Sequence, residues 1–335
     1  MHEDNQIQTI CQQRDLVVIQ RNPTSGSGRG RREVFRLFKE LQRRGFEVRV
    51  YHNRSRFSRY VNRPAVANRA SVADRLRCLV AAGGDGTISS LVQRHPEFPI
   101  AVLPLGTENL VAKHFDLKCD GADLADVIEG GRSMAFDTGL VEASSVEGGS
   151  ENSGSADTGA GQVHRFLLMA SAGLDAEVVR LLAMARQGNI SHFSYLKPIV
   201  TSFLRYRFPK LEVVNEHGET IAVGSHVLVS NMPEYGMKIP FCPTANPHDG
   251  LLDVRVFQQS GMVKTAWHVL KTRWGRQDSA KEVVRFQAPA ISLKTEDSEV
   301  PLQADGDPCG TGCVTFRVAD EKMKLLVPST YSVTD

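Results

Sequence analysis

Two kinds of strand spacing in this 335-residue chain predict an α/β domain followed by an antiparallel β-sandwich. In the first kind, compact apolar runs end in small or polar turns that lead into helical patterns. Asp15–Gln20 runs into Arg21–Gly30, Leu79–Ala82 into Gly83–Thr87, and Phe98–Pro104 into the Gly106–Asn109 turn. Such strand-turn-helix units build a parallel sheet, and right-handed crossovers bring the three turns to one edge. In the second kind, short strands alternate with turn residues: Leu211–Val214, Ile221–Val223, His226–Ser230, Leu252–Phe257, Val283–Gln287, Ile291–Lys294 and Val314–Val318. That spacing suits a sandwich of antiparallel sheets.

The composition permits both domains: 41% hydrophobic and 23% charged residues are ordinary for a globular chain of this length. Net charge is +2, yet arginines crowd the first quarter, among them Arg29, Arg31, Arg32, Arg36, Arg43, Arg44, Arg49, Arg54, Arg56, Arg59, Arg63 and Arg69. Solvated helix faces are the default reading of such a run, with nucleotide phosphates or an anionic membrane surface as partners of a basic face. Nucleic acid is not expected, because no aromatic interleaving or binding motif accompanies the charge. The six cysteines are scattered, with no Cys-x-x-Cys, which points to a reducing compartment; Cys309 and Cys313 lack histidines at zinc-ligand spacing. Met1–Arg14 is unlike a signal peptide and no stretch is long and apolar enough to span a bilayer, so a cytoplasmic protein able to visit a membrane is expected.

In chain order, the Gly/Ser loop after the first strand precedes a helix from near Arg31, with Val34, Leu37, Phe38 and Leu41 at helical spacing. It is not a Walker loop, since no Gly-Lys-Ser/Thr closes it, nor a dinucleotide fingerprint, since Arg31 stands where the third glycine belongs. Its place between strand and helix favours phosphate binding over a merely flexible loop. Phe46–Tyr51 reads as the next strand, and the basic segment to Asp74 as helix and loop. The central turn is Gly83-Gly84-Asp85-Gly86-Thr87. Its glycines admit a phosphate against the backbone, Asp85 offers a charge for a metal or hydroxyl, and Thr87 is placed to start a helix. Leu110–Phe115 and Gly121–Glu129 follow as helices.

Ala143–Gly161 has no basic or aromatic residue and is expected to be a flexible insertion between extended segments Met134–Glu142 and Val163–Ser171. Ala176–Gln187 and His192–Arg207 read as helices, the second an amphipathic one packed on the sandwich rather than touching a membrane. Asp305-Gly306-Asp307 offers carboxylates but by itself reads more readily as a solvated turn, and Asp249-Gly250 has the same alternative of a turn before a strand.

Taken together, the motifs resemble the diacylglycerol kinase catalytic family of soluble lipid kinases, which includes bacterial diacylglycerol kinases and sphingosine and ceramide kinases. The resemblance rests on Asn22-Pro23-x-Ser25-Gly26, Gly83-Gly84-Asp85-Gly86-Thr87, Pro104-Leu105-Gly106-Thr107-x-Asn109, Gly173-x-Asp175-Ala176, Asp249-Gly250-x-Leu252-Asp253 and Asp305-Gly306-Asp307, in family order from about residue 15 to 327. It implies an amino-terminal ATP-binding domain like that of NAD kinase and phosphofructokinase, covering 14–137 with 320–330 returning through Met323–Val327. It implies a β-sandwich over 138–319 containing the insertion at 143–161, with the active site in the cleft between the domains.

By the same resemblance, Asn22, Pro23, Ser25 and Gly26 contact ATP from the first loop, Gly83, Gly84, Asp85, Gly86 and Thr87 wrap its phosphates, and Gly106, Thr107 and Asn109 close the third turn. Asp249, with the backbone carbonyls of Asn246 and Leu251, matches a structural magnesium site, while Asp305 and Asp307 match an Asp-Gly-Glu pair. Asp307 is the counterpart of the basic glutamate, one methylene shorter, and Asp85 and Asp305 are its expected catalytic companions. Implied partners are ATP, Mg2+ and a lipid presented at a membrane surface, with peripheral membrane contact and a homodimer also expected. The sequence departs from the family at Ile88-Ser89-Ser90, where Asn-Glu is common, and at Glu108 and Leu110. Two alternatives therefore stand beside a lipid kinase: a kinase of a soluble acceptor such as NAD, and a degenerate nucleotide or lipid sensor.

Overall fold

Residues 7–10, 14–23, 25, 28–64, 71–143, 163–186, 206–235, 239–258 and 282–331 are described by the computed structural model. The insertion at 144–161, most of the expected His192–Arg207 helix and Gly26 lie outside them. The chain divides into two units, Met1–Phe136 with Glu321–Asp335, and Asp137–Asp320.

The first unit contains β1 (Ile7–Thr9), β2 (Leu16–Arg21), α1 (Gly28–Arg43), β3 (Glu47–Tyr51), α2 (Arg54–Val61), α3 (Val72–Arg75), β4 (Leu76–Gly83), α4 (Asp85–Arg94), β5 (Ile100–Pro104), α5 (Leu110–His114), α6 (Gly121–Gly130) and β6 (Arg132–Phe136). The second contains β7 (Gly139–Ala143), β8 (Val163–Phe166), β9 (Met169–Ala172), α7 (Leu174–Arg186), β10 (Leu211–Val214), β11 (Thr220–Gly224), β12 (His226–Ser230), β13 (Leu252–Phe257), β14 (Val283–Ala288), β15 (Ala290–Lys294), β16 (Pro301–Ala304), β17 (Asp307–Thr311) and β18 (Val314–Val318). The chain then returns to the first unit through β19 (Met323–Leu326).

The sheet of the first unit runs β1-β6-β19-β5-β4-β2-β3. Strands β3, β2, β4, β5 and β19 are parallel neighbours, and β6 and β1 close the sheet antiparallel. All eight residues of β4 are buried, as a central parallel strand covered on both faces requires. Helices α1 and α6 pack so closely that a Cβ on Gly121 would lie 2.3 Å from the Glu33 carbonyl oxygen; Glu33 accepts the Gly121 N–H and Arg36 pairs with Asp120, the N-cap of α6. Arg36, Arg43, Arg44 and Arg49 each meet a carboxylate, in keeping with solvated helix and strand faces. Arg77 is an exception: it is buried in β4 and its guanidinium donates to the carbonyls of Ile10, Ile128 and Glu129, the last two at the negative end of the α6 dipole.

In the second unit two six-stranded sheets, β11-β10-β15-β18-β7-β8 and β14-β13-β12-β9-β16-β17, contribute to one core that includes Val141, Phe166, Val213, Val227, Leu252, Ile291 and Val314. Both extended segments flanking the insertion prove to be two strands each. Met134–Glu142 breaks at Asp137 and Thr138, between β6 and β7 in different sheets, because the buried Asp137 turns to the 247–250 loop: its N–H donates to the Pro247 carbonyl and its carboxylate accepts the Gly250 N–H. Val163–Ser171 breaks at Leu167 and Leu168, whose amides bond a carboxylate instead of a neighbouring strand. Sequence reading missed β16 and β17, which flank the Asp305–Gly306 turn. Among the described residues no helix is long and apolar enough to cross a membrane.

His95, at the end of α4, is 1% exposed, sits beside the Phe57 and Phe98 rings, and has Nε2 3.1 Å from the Ser58 hydroxyl. Burial, then the nearby Arg94 charge, pushes its pKa down to about 4, so His95 is neutral although Glu97 lies 4.0 Å from Nδ1. An unfolded histidine binds a proton near 6.5 while the folded one does not until about 4, so stability falls as pH drops through that window. Urea midpoints measured from pH 7 to 4 should decline accordingly, and His95→Gln should flatten that part of the curve.

Candidate active site

Three carboxyl-terminal strand ends, those of β2, β4 and β5, lie side by side at one edge of the parallel sheet and carry the three expected turns. The Asn22 N–H donates to the Ala82 carbonyl and the Ser25 N–H to the Asn22 carbonyl, so the first turn is seated on β4; Pro23 is exposed. The second and third turns interlock. Leu105 donates its N–H to the Gly83 carbonyl at 2.8 Å, and a Cβ on Gly106 would stand 2.5 Å from the Gly84 Cα. At that crossing Gly106 leaves no room for a side chain, and a Cβ on Gly84 would stand 3.1 Å from the Gly106 Cα.

Asn109 adopts a left-handed conformation (φ 51°), and its side-chain amide closes on Gly106, accepting the N–H and donating to the carbonyl, both at 2.9 Å. Asp85 departs from its expected direct role. Both carboxylate oxygens accept backbone N–H groups at the start of α5, from Leu110 at 3.0 Å and Val111 at 3.1 Å, so this residue ties the second turn to the helix after the third. Helix α4 begins at Asp85 rather than at Thr87, and its N-cap Gly84 offers no side-chain cap. The Thr87 hydroxyl is buried without a hydrogen-bond partner. An uncapped helix end and an orphaned hydroxyl on a backbone cradle are groups that an anion such as a phosphate satisfies. Thr107 is exposed at the tip of the third turn. Among the departing residues, the Ser90 carbonyl and hydroxyl accept from Arg94, and the Glu108 carbonyl accepts from Lys113. Asn53, just past β3, caps α2 by accepting the Arg56 N–H.

In the second unit Asp305 is likewise a tie. Its carboxylate accepts the N–H groups of Leu167, Leu168 and Met169, and its own N–H donates to the Met169 carbonyl, fixing the turn before β17 against the β8–β9 connection. Gln303, wholly buried, holds the same turn from behind: its Oε1 accepts from Gly306 N–H and the Tyr235 hydroxyl, and its Nε2 donates to Ser171 and Asp175. Gln303, Tyr235, Ser171 and Asp137 went unrecognised in the sequence; Asp137-Thr138-Gly139 after a strand was the one visible signal. The outcome is an exposed Asp307 on a rigid turn. The adjacent Cys309 thiol is pushed up to about 12, chiefly by burial and further by the Asp305 and Asp307 charges, and stays protonated.

Asp249 accepts the Leu251 N–H, while Asn246 accepts the His248 N–H on its side chain and the Asp249 N–H on its carbonyl. Partial burial and the charges of Asp253 and Asp137 raise the Asp249 pKa. Among the described residues no three His, Cys, Asp or Glu side chains form a metal cluster. The expected set of one carboxylate with backbone carbonyls still fits a cation, because a positive charge would relieve the repulsion that Asp249 suffers.

An α/β unit with a glycine cradle, followed by a sandwich presenting a carboxylate, offers the groups that phosphoryl transfer requires. The chain matches two family models, the diacylglycerol kinase catalytic domain over residues 15–141 and the YegS C-terminal NAD kinase beta sandwich-like domain over 169–327. It belongs to the diacylglycerol kinase catalytic family and is a lipid kinase. It is 20% identical over 323 residues to the diacylglycerol kinase of Staphylococcus carnosus (strain TM300), covering 94% of this chain and 95% of that one. Its fold matches a diacylglycerol kinase structure from Bacillus anthracis str. Sterne (TM-score 0.61, 15% identity, 95% of this chain and 98% of that one). It also matches yeast NADH kinase complexed with NADH (TM-score 0.56, 13% identity, 100% and 95%).

Because Gly106 admits no Cβ, Gly106→Ala must part the second and third turns. The expected cost is about 1–3 kcal/mol, read as a lower urea midpoint; an unchanged midpoint would show that the turns yield freely.

Proposed function

We propose that this lipid kinase uses ATP and transfers the γ-phosphate to a hydroxyl of diacylglycerol, a sphingoid base or a related lipid. The observation that carries the reading is the glycine cradle with its uncapped helix and orphaned Thr87 hydroxyl, a site in want of an anion. Phosphoryl transfer asks a protein for placement and charge stabilisation more than for covalent chemistry. In this reading the first-turn amides of α4 and the Thr87 hydroxyl donate to phosphate oxygens, and Asn22, Ser25 and Thr107 line the same nucleotide. Asp85 and Asn109 hold the turns in register. Asp307 takes the proton of the acceptor hydroxyl, and Asp305 and Gln303 keep its turn still. Asp249 and the carbonyls of Asn246 and Leu251 would hold magnesium, which supplies positive charge to a crowded acidic loop.

We place the acceptor at a membrane surface that the protein visits peripherally. Phe35 on α1 is 60% exposed, with the Lys39 ammonium 5.5 Å from its ring centre and the exposed Arg31, Arg32 and Arg36 nearby, a combination suited to anionic lipid. A homodimer is compatible with this reading.

Purified protein incubated with labelled ATP, magnesium and mixed micelles of a lipid panel should label at least one lipid and leave NAD unlabelled. Asp307→Ala should cut turnover at least about a hundredfold without moving the urea midpoint. Label on NAD alone, or on no acceptor, would overturn the reading.

A further inference from the structure

Edge strands β8 and β17 end their respective sheets, and two anchors bring them together along one side of the sandwich. At one end Asp305, two residues before Asp307, is bonded to the amides of Leu167, Leu168 and Met169, just past β8. At the other, a Cβ on Gly310 would lie 3.5 Å from the Cβ of Ala143 on β7, the strand that pairs with β8. His164 falls between these anchors. It pairs with Val141 and shares a face of β8 with Phe166, both core residues, so its half-buried ring points inward. Asp307 pairs directly with Ala304 of β16, a core residue, and shares its face of the sheet. The two edge strands thus aim an imidazole and a carboxylate into the same open side of the sandwich.

The other charged or titratable groups around His164 are otherwise engaged. On β8 the neighbouring Arg165 faces the opposite way and bonds Thr138; from β7, Glu142 pairs with Arg317; Asp305 is spent on backbone amides; and the Cys309 thiol is neutral. Burial lowers the His164 pKa, and Asp307 is the charge that opposes this, so the imidazole is neutral at pH 7 and senses that carboxylate.

We propose that the proton acceptor of the transfer reaction is a pair, Asp307 with His164, rather than Asp307 alone. The inference rests on the reading of Asp307 as the acceptor carboxylate. The hydroxyl proton passes to one Asp307 oxygen and the pair relays a proton to the imidazole; the freed oxygen lone pair bonds the γ-phosphorus, and the bond from that phosphorus to the bridging oxygen breaks, its electrons leaving with ADP. A carboxylate is a poor resting place for a proton at neutral pH, and a neutral imidazole is a better one. His164 acts through Asp307 and is therefore a positioning and proton-storing residue.

Two measurements on the full chain test the pairing. In the first, proton NMR follows the His164 ring through pH 5–9, which needs no activity; Asp307→Asn removes the neighbouring anion, so the His164 midpoint should move to lower pH. In the second, transfer from labelled ATP to the lipid labelled most strongly in the panel is followed over the same pH range. His164→Gln should lower kcat tenfold or more with the ATP KM within twofold, and should move the acid limb of the profile to lower pH. An unmoved His164 midpoint in Asp307→Asn, or a wild-type pH profile in His164→Gln, overturns the pairing while the base assignment can still hold. Wild-type kcat in Asp307→Asn overturns the base assignment itself. Asp307 is exposed, so the titration remains decisive even if His164→Gln does not fold.

Discussion

Contact between two glycine backbones, at Gly84 and Gly106, is the constraint on which the nucleotide half of this structure depends. With a Cβ on Gly106 only 2.5 Å from the Gly84 Cα, the turn after β5 must stay bare where it meets the turn after β4. The surrounding bonds hold the turns in place: the Leu105 amide bonds Gly83, Asn109 folds back on Gly106, and Asp85 caps a helix that is not its own. The Leu105 and Asp85 bonds join one turn to the next, and the Asn109 bonds close the third turn on itself. The cradle is rigid because its neighbours brace one another across sequence gaps of 20 residues or more, which places its donors in advance of any ligand.

Carboxylates in this protein serve mainly as loop organisers. Asp85, Asp305 and Asp137 each accept backbone N–H groups that no strand or helix satisfies. Charge-assisted bonds of this kind are stronger than neutral ones, and removing the acceptor would strand partly buried amides. Nature thus spends several of its acidic residues on geometry and leaves Asp307 exposed. Arg77 plays the complementary part in the first unit, gathering carbonyls at the end of α6 where a cation suits the helix dipole.

Much of the fold was legible beforehand because its signals are local. Leu79–Ala82 announced a buried parallel strand through an unbroken apolar run, and the sandwich strands through their alternation and turn residues. Met323–Val327 was expected to rejoin the first sheet and does so beside β5. Where reading failed, a distant side chain had intervened. Met134–Glu142 and Val163–Ser171 each look continuous, yet each is cut by a carboxylate or amide whose partner lies on another loop. The strands around Asp305 were hidden by turn-forming glycines and by a register shift at Cys309 of β17.

The same division runs through the candidate site. Residue types and their order by themselves determined the family, the parallel and antiparallel sheets, and which turns carry glycine, because apolar period and turn chemistry are written in neighbouring residues. Only the tertiary structure decided what each acidic residue does. Asp85 and Asp305 look like reactive groups in the sequence and in the structure accept backbone N–H groups of neighbouring loops, Gln303 and His164 drew no notice and stand beside the acidic turn, and Asp307 alone of its motif faces solvent. A carboxylate's role depends on which donors approach it, and here those donors come from residues up to 138 positions away in the chain.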